Sequence, residues 1–435
     1  MRVRTAEAGA DTPVRWPDLG LRLAAWMGMI TWHGSRAAAG ALCGRAALPA
    51  RMERLLVAMG PTFIKGGQLL GTRGDLVSPA WCAALGRLHD RVGLLPHEKV
   101  RLALETAYPT GRDWPFAEFD WSPVATGSIA CVYRARLRDG RTVAVKVRRP
   151  RIAGRMRADF RLLRVGAAVG ERSPGLRGVP ARRMVDQIGT AVLAQLDLVR
   201  EAGALRELHD NLAGLIRVPE PIPEASGDGV LVMEFVEGLS RFGPHEFTPE
   251  QRREAVRRVL QGVYRMLFLD GLVHCDMHPG NLYLTRSAEP VLLDAGFVVR
   301  LPPEVRGLFA KFFYHMATGH GDECADIVLR SADHIPGARD LSEFRTGIRD
   351  LIRDSHRRPA GEFRLAPFAT RLFDLQRRSG VAAAPEFAFP LLCLLVLEGM
   401  ILDFDVKVDF QGQAVPTLLK ALREHARTPS PWRIP

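Results

Sequence analysis

Two short apolar runs, each leading to an aspartate, constrain this chain more than anything else in it. Leu272-Val273-His274-Cys275 runs into Asp276-Met277-His278-Pro279-Gly280-Asn281, and Leu292-Leu293 runs into Asp294-Ala295-Gly296. Both runs read as strands, and Pro279-Gly280 forces a tight loop between Asp276 and Asn281. This is the order in which a phosphoryl-transfer site supplies a base and two metal ligands. Such a loop turns Asp276 toward an incoming hydroxyl and Asn281 back toward a magnesium ion. Asp294, on the neighbouring strand, bridges that metal to phosphate oxygens, since magnesium takes hard oxygen ligands and keeps some of its water.

A second element supplies what such a site needs upstream. Thr142-Val143-Ala144-Val145-Lys146-Val147 alternates as a strand and ends near a lysine, and Arg138-Asp139-Gly140-Arg141 before it reads as a hairpin turn. Further upstream, Ala125-Thr126-Gly127-Ser128 is a small-residue loop that runs into another strand. Strand, small-residue loop, strand, hairpin and lysine-bearing strand together cover nucleotide phosphates with loop amides and set an ammonium on them. A carboxylate must hold that lysine. The stretch Met184–Asn211 reads as one helix carrying Asp186, Asp197, Glu201 and Glu207. Glu201 is the candidate, although helical spacing serves equally well for exposed pairs with arginine. The run from Gly229 to Gly238 reads as a buried strand ending in a hinge, with the backbone of Glu234 to Val236 at the adenine edge.

Composition narrows the setting. The chain has 435 residues, 47% hydrophobic and 25% charged, which suits two or three globular domains. Six cysteines lie scattered without a C-x-x-C pair, which argues for a reducing, cytoplasmic compartment and against a disulfide framework or a zinc site. His274, Cys275, Asp276 and His278 share one tight loop without distant partner ligands, so a zinc cluster is not expected there. No secretory leader is evident. Leu21–Trp32 and Ala388–Leu402 are apolar, but the first is too short to span a bilayer and the second is interrupted by Glu398. The net charge is +12, and only six of the sixty basic residues are lysine. With no nucleic-acid motif and no aromatic-interleaved basic run, an anionic lipid surface is favoured over nucleic acid. Where lysine survives in so arginine-rich a chain, a compact charge is needed.

One such lysine gives the chain its kinship. Gly60-Pro61-Thr62-Phe63-Ile64-Lys65-Gly66-Gly67-Gln68-Leu69 resembles the K-x-G-Q signature of the UbiB family of atypical protein-kinase-like proteins. Thr72-Arg73-Gly74-Asp75-Leu76 and Leu88-His89-Asp90-Arg91-Val92 fit the same family, and the match covers roughly residues 55 to 410. Read by itself, Pro61–Leu70 is an amphipathic helix start whose ordinary use is packing. The resemblance implies an α+β, bilobal protein-kinase-like fold with a helical N-terminal extension over the cleft. Lys65 and Gln68 would point into that cleft and restrict access to large protein substrates. It further implies ATP and Mg2+ as cofactors, with Lys146 as the phosphate-binding lysine and Glu201 as its partner. Asp276 would take the catalytic-loop position, and Asn281 and Asp294 would be the metal ligands.

Three departures accompany the match. The family's E-x-D acidic motif reads Gln195-Leu196-Asp197, so one carboxylate has become an amide. The D-F-G position reads Asp294-Ala295-Gly296, and the nucleotide loop carries Gly127 where alanine is usual. None removes an essential group. The expected organisation is a partly helical lead over 1–50, the extension over 51–110, a small lobe over 111–236 and a mostly helical large lobe over 237–430. Gln251–Asp270 reads as the helix feeding the catalytic loop, Phe387–Leu402 as a buried late helix, and 428–431 as a disordered tail. By resemblance the process is isoprenoid-quinone or related lipid biosynthesis, with a small-molecule or lipid-like substrate at the inner face of the membrane. Two other readings are a small-molecule phosphotransferase of the aminoglycoside or choline kinase kind, which lacks the K-x-G-Q element, and a nucleotide-binding pseudokinase scaffold.

Overall fold

Alternation in three strands builds the core of the first half of the molecule. The computed structural model describes residues 16–39, 48–72, 77, 79–85, 88, 94–109, 114–172, 181–241, 246–335, 341–356, 363–404 and 408–427. Cys43, residues 73–76 and 89–92 of the family match, and the tail 428–431 lie outside them. Two compact units are formed. One comprises Met1–Gly71, Ala80–Ala202 and Pro221–Phe235, the other Thr72–Pro79, Gly203–Glu220 and Val236–Pro435. The architecture is α+β and kinase-like.

Helices α1 (Trp16–Ala39), α2 (Leu48–Met59), α3 (Pro61–Thr72), α4 (Pro79–Leu85) and α5 (His97–Ala107) precede strands β1 (Phe116–Thr126), β2 (Ala130–Leu137) and β3 (Thr142–Arg148). Helices α6 (Ile152–Gly170), α7 (Ala181–Ala194) and α8 (Leu198–Asn211) follow, then β4 (Val230–Glu234). The four strands make one antiparallel sheet in the order β1-β2-β3-β4. Cys131, Tyr133, Ala135 and Leu137 of β2, Val143, Val145 and Val147 of β3, and Val230 and Val232 of β4 share one buried face with Val100 and Leu104 of α5. The period of two therefore puts Lys146 on the opposite face. The expected hairpin turn joins β2 to β3, with Gly140 at φ +92°.

The extension is fastened by one buried carboxylate. Asp159 of α6 is fully buried and accepts two hydrogen bonds from Arg22 of α1, at 2.5 and 2.9 Å, and one from Thr62 of α3 at 2.6 Å. A buried charge of this kind is tolerable only with a bidentate partner. Beside it Trp26, Met59 and Phe63 form a small apolar cluster.

In the second unit, β5 (Ser240–Arg241) precedes α9 (Pro249–Arg265), which opens with a capping box between Thr248 and Gln251. The helix expected over Gln251–Asp270 runs as α9 and then widens its hydrogen bonding into a π-helical turn, Met266–Asp270, before Gly271 at φ +78° ends it. A Cβ at Gly271 would lie 2.8 Å from Arg306 and 3.0 Å from the Leu301 carbonyl, so the chain turns there only because the residue is glycine. Short strands β6 (Leu272–His274), β7 (Leu282–Leu284), β8 (Pro290–Leu292) and β9 (Val298–Arg300) follow, pairing as β6-β9 and β5-β7-β8. The remainder is α10 (Pro303–Thr318), α11 (Gly321–Arg330), β10 (Ala332–His334), α12 (Ser342–His356), α13 (Leu365–Ser379), β11 (Ala382–Ala383), α14 (Pro385–Asp403) and α15 (Phe410–Arg427).

Helix α14 corrects one expectation. Its span Pro385–Leu402 is long and apolar enough to cross a membrane, although Glu398 made it look interrupted. Within this unit 67% of that span is buried. Glu398 is itself buried and accepts hydrogen bonds from the backbone N–H groups of Leu365 and Ala366, at 2.8 and 2.7 Å. The charge does not break the helix; it satisfies orphan donors and the positive dipole end at the start of α13.

Candidate functional site

Lys146 is fixed before its side chain is considered. In the middle of β3 it lies opposite Val132 of β2 and Leu231 of β4, so its backbone is paired on both sides. Its Nζ lies 2.6 Å from Oε1 of Glu201 in the first turn of α8, and both side chains are largely buried. Sequence spacing left Glu201 undecided between this role and an exposed pair; the geometry places it on Lys146.

What aims Glu201 is an elbow that the sequence did not suggest. Met184–Asn211 is not one helix: α7 stops at Ala194 and α8 starts at Leu198. Gln195-Leu196-Asp197 forms the corner. Asp197 Oδ1 accepts from the N–H groups of Val199 and Arg200, both at 3.0 Å, which caps α8. An aspartate is favoured at that position for its acceptor and its charge. Gln195 is buried, and its amide reaches back to the Ala191 carbonyl at 3.5 Å. From β3, Arg148 donates to the Leu196 carbonyl at 3.0 Å. The Gln195 and Asp197 positions therefore shape the bend that presents Glu201.

The small-residue loop is likewise tied down. The Gly127 N–H donates to the Ala130 carbonyl at 2.9 Å, and Arg149 Nε donates to the Gly127 carbonyl at 3.0 Å. Ala125 and Thr126 end β1, and Ser128 is fully buried. Glu234 ends β4, pairing with Val143, and Val236, buried, begins the return to the second unit. Arg148 and Arg149 had no role in the sequence reading, and their signal was only a pair of basic residues after a strand. On α3, Gln68 donates its amide to the Leu88 carbonyl, and Lys65 is partly buried. A Cβ at Gly67 would come within 2.5 Å of Leu88, so the signature glycine permits close packing of α3 on that residue.

In the second unit the aspartate loop is organised by His274. It is fully buried, and burial pushes its imidazole below the ordinary 6.5, against the pull of Asp276 and Asp294. The ring is therefore neutral at pH 7. Nδ1 accepts from the Asp276 N–H at 3.2 Å, so Nε2 carries the proton and donates to the Asp294 carbonyl at 2.7 Å. One ring thus spans the backbones of both aspartates. Cys393 of α14 donates its thiol to the His274 carbonyl at 3.0 Å, and the Cys275 N–H donates to the Phe297 carbonyl at 3.0 Å. Burial pushes the Cys393 thiol up to about 12 and the Cys275 thiol well above 9.0, so both remain protonated.

Asn281 returns toward Asp276. Its Nδ2 donates to the Asp276 carbonyl at 2.9 Å and lies 3.5 Å from the carboxylate Oδ2, so the amide oxygen is the atom that could hold a metal. The Leu293 N–H donates to the Asn281 carbonyl at 3.0 Å, tying the loop to the strand before Asp294. Asp294 Oδ1 accepts from the Gly296 N–H at 2.8 Å. His278 Nε2 lies 3.5 Å from Asp276 Oδ1. Ala295 is buried, and Phe297, two residues on, packs edge-on against Phe389 of α14 at 5.1 Å. Amide and carboxylate oxygens on one loop and the adjoining strand suit magnesium, which needs few protein ligands. Among the described residues no group of three or more His, Cys, Asp and Glu side chains is placed to hold a metal ion.

Comparison with known proteins gives the family and the fold. The model of the ABC1 atypical kinase-like domain matches residues 87–328. A probable protein kinase UbiB of Aeromonas salmonicida is 29% identical over 396 residues, covering 88% of this chain and 72% of the relative. A probable protein kinase UbiB of Marinobacter nauticus is 31% identical over 388 residues, covering 86% and 70%. The solved Rv3197–erythromycin complex from Mycobacterium tuberculosis shares the fold, with a TM-score of 0.53 and 20% identity over 79% of this chain and 85% of that one.

Two tests follow from these contacts. Glu201→Ala strands a buried ammonium and should destabilise the protein by about 3–5 kcal/mol, whereas Lys146→Met combined with Glu201→Leu should recover most of that loss. Denaturant unfolding of the three proteins reads the difference. An imidazole held below 6.5 binds protons more readily when unfolded, so the His274 contribution is complete above that pH and is lost as the pH falls. Unfolding free energy should therefore drop between about pH 7 and pH 5.5, and less steeply in His274→Gln.

Proposed function

Since the chain belongs to the UbiB family of ABC1 atypical kinase-like proteins, we propose that it is an ATP- and magnesium-dependent phosphoryl-transfer protein. Its acceptor is water or a small, lipid-like hydroxyl compound. The observation that carries this reading is the buried Lys146–Glu201 pair at 2.6 Å. A lysine held by a carboxylate in a strand sets a compact, positioned positive charge of the kind that meets phosphate oxygens.

Magnesium, when bound, would neutralise charge that develops on the phosphate oxygens. The protein's own groups do the rest. Lys146 binds phosphate oxygens while Glu201 holds it in place, and the Ala125–Ser128 loop backbone covers the nucleotide. Glu234 and Val236 offer backbone polar groups to the base. Asn281 and Asp294 would hold the cation. Asp276 orients the attacking hydroxyl or water and takes its proton, its backbone fixed by His274 and Asn281. The extension is fastened through Gln68 to Leu88 and through Asp159 to Arg22 and Thr62, and family kinship is what suggests a restricted, non-protein acceptor. Family kinship suggests isoprenoid-quinone or related lipid biosynthesis at an anionic membrane surface as the setting, which is an analogy of fold.

Phosphate release measured with and without anionic vesicles tests the proposal. Asp294→Asn should lower the rate about a hundredfold or more. An unchanged rate would contradict the assignment. Label appearing on an added small alcohol would favour a small-molecule phosphotransferase, and nucleotide binding without turnover in any lipid would favour a scaffold.

A further inference from the structure

The outward face of α1 is unusual for a chain in which a quarter of the residues are charged. Its described exposed residues are Gly20, Leu23, Ala24, Ala25, Met27, Gly28, Thr31 and Trp32, none of them charged. Leu23 is 46% exposed, Met27 56% and Trp32 62%. The opposite side holds the helix in place through Trp26, which meets Phe63 edge-on at 5.0 Å, and through Arg22 on Asp159. The apolar face is therefore held outward by a charged, buried anchor.

The neighbours of α1 continue the pattern. Helices α2 and α6 both contact α1. On α6, Leu162 packs into the cluster beneath α1, and Val169, two turns on, lies on the same side of the helix. Val165 and Val169 are each 64% exposed, and with Arg161 they form a stripe at helical spacing. On α2, Arg54 is exposed beside Val57 and Ala58. Among the described exposed residues of these three helices there are arginines and no carboxylate.

We propose that the outward face of α1, with the Arg161–Val165–Val169 stripe of α6 and the Arg54–Val57 end of α2, docks on an anionic lipid bilayer. Apolar side chains enter the headgroup boundary while guanidinium groups meet lipid phosphates, the division of labour of an interfacial helix. A second copy of the chain is the poorer occupant, because a two-fold pairing of this face sets arginine against arginine with no described exposed carboxylate between them. The inference rests on the reading above for its membrane setting, but it is tested without nucleotide.

Co-sedimentation of the full chain with vesicles of equal parts phosphatidylglycerol and phosphatidylcholine, against phosphatidylcholine alone, reads binding directly. The wild type should pellet with the anionic vesicles only. Leu23→Glu with Met27→Glu should weaken binding about tenfold or more for each residue, since both side chains are already exposed and the fold does not need them. Arg161→Glu should weaken it further in low salt. Tyr314→Glu and Val415→Glu, at exposed apolar positions of the second unit, should leave binding unchanged. The proposal is overturned if the wild type does not pellet, if the α1 variant pellets equally well, or if only the Tyr314 and Val415 variants release the vesicles. It is also overturned if light scattering shows a dimer that the α1 variant dissociates. Loss of vesicle binding with ATP turnover intact would fall on this inference alone, and loss of turnover with binding intact would fall on the catalytic reading alone.

Discussion

The neutral ring of His274 is the contact on which the geometry of the Asp276–Asn281 loop depends. It is buried, its protonation is fixed by that burial, and its two nitrogens serve opposite purposes. One accepts the Asp276 N–H and the other donates to the Asp294 carbonyl. Two aspartates eighteen residues apart in sequence are thereby set by a single rigid side chain. Were the ring charged, Nδ1 would become a donor facing a donor, and the loop would lose its acceptor. The Cys393 thiol donates to the carbonyl of His274 itself and the Cys275 N–H to the Phe297 carbonyl, so α14 and the residue before β9 both contribute to the placement of that ring.

The first unit solves a similar problem with charge. Lys146 is held by strands on both sides and Glu201 by an elbow, and the two meet because Arg148 and Asp197 define that elbow. The acidic motif of the family resemblance occurs here with an amide at Gln195, and the two positions do different work. Gln195 bonds within its own helix, while the capping work belongs to Asp197, which is retained. Arg149 fixes the small-residue loop at the Gly127 carbonyl, so lysine, carboxylate and loop are all positioned from one short strand, its last residue Arg148 and the Arg149 that follows it.

Much of this was legible in the sequence. Period-two alternation with a Gly140 hairpin gave the strands, and the aspartate and asparagine spacing gave the loop. What escaped has a physical pattern. The residues from Met184 to Asn211 carry no proline, and their glycines sit among good helix formers, so nothing local announced the break at Gln195–Asp197. An N-cap aspartate inside a run of helix formers is recognisable only once the bend is seen. Glu398 looked like an interruption of an apolar run because its partners, the Leu365 and Ala366 amides, lie more than thirty residues earlier. Arg148 and Arg149 were indistinguishable by sequence from the many arginines around them. In each case the missing information was a tertiary partner, which no window of local pattern contains.

The central claim is that these residues bind ATP together with magnesium, and calorimetric titration of the wild-type protein with ATP tests it most directly. Saturable binding should appear with magnesium present, weaken markedly when the metal is chelated, and lose that metal dependence in Asn281→Ala. Binding that is indifferent to magnesium, or no binding at all, would contradict the account.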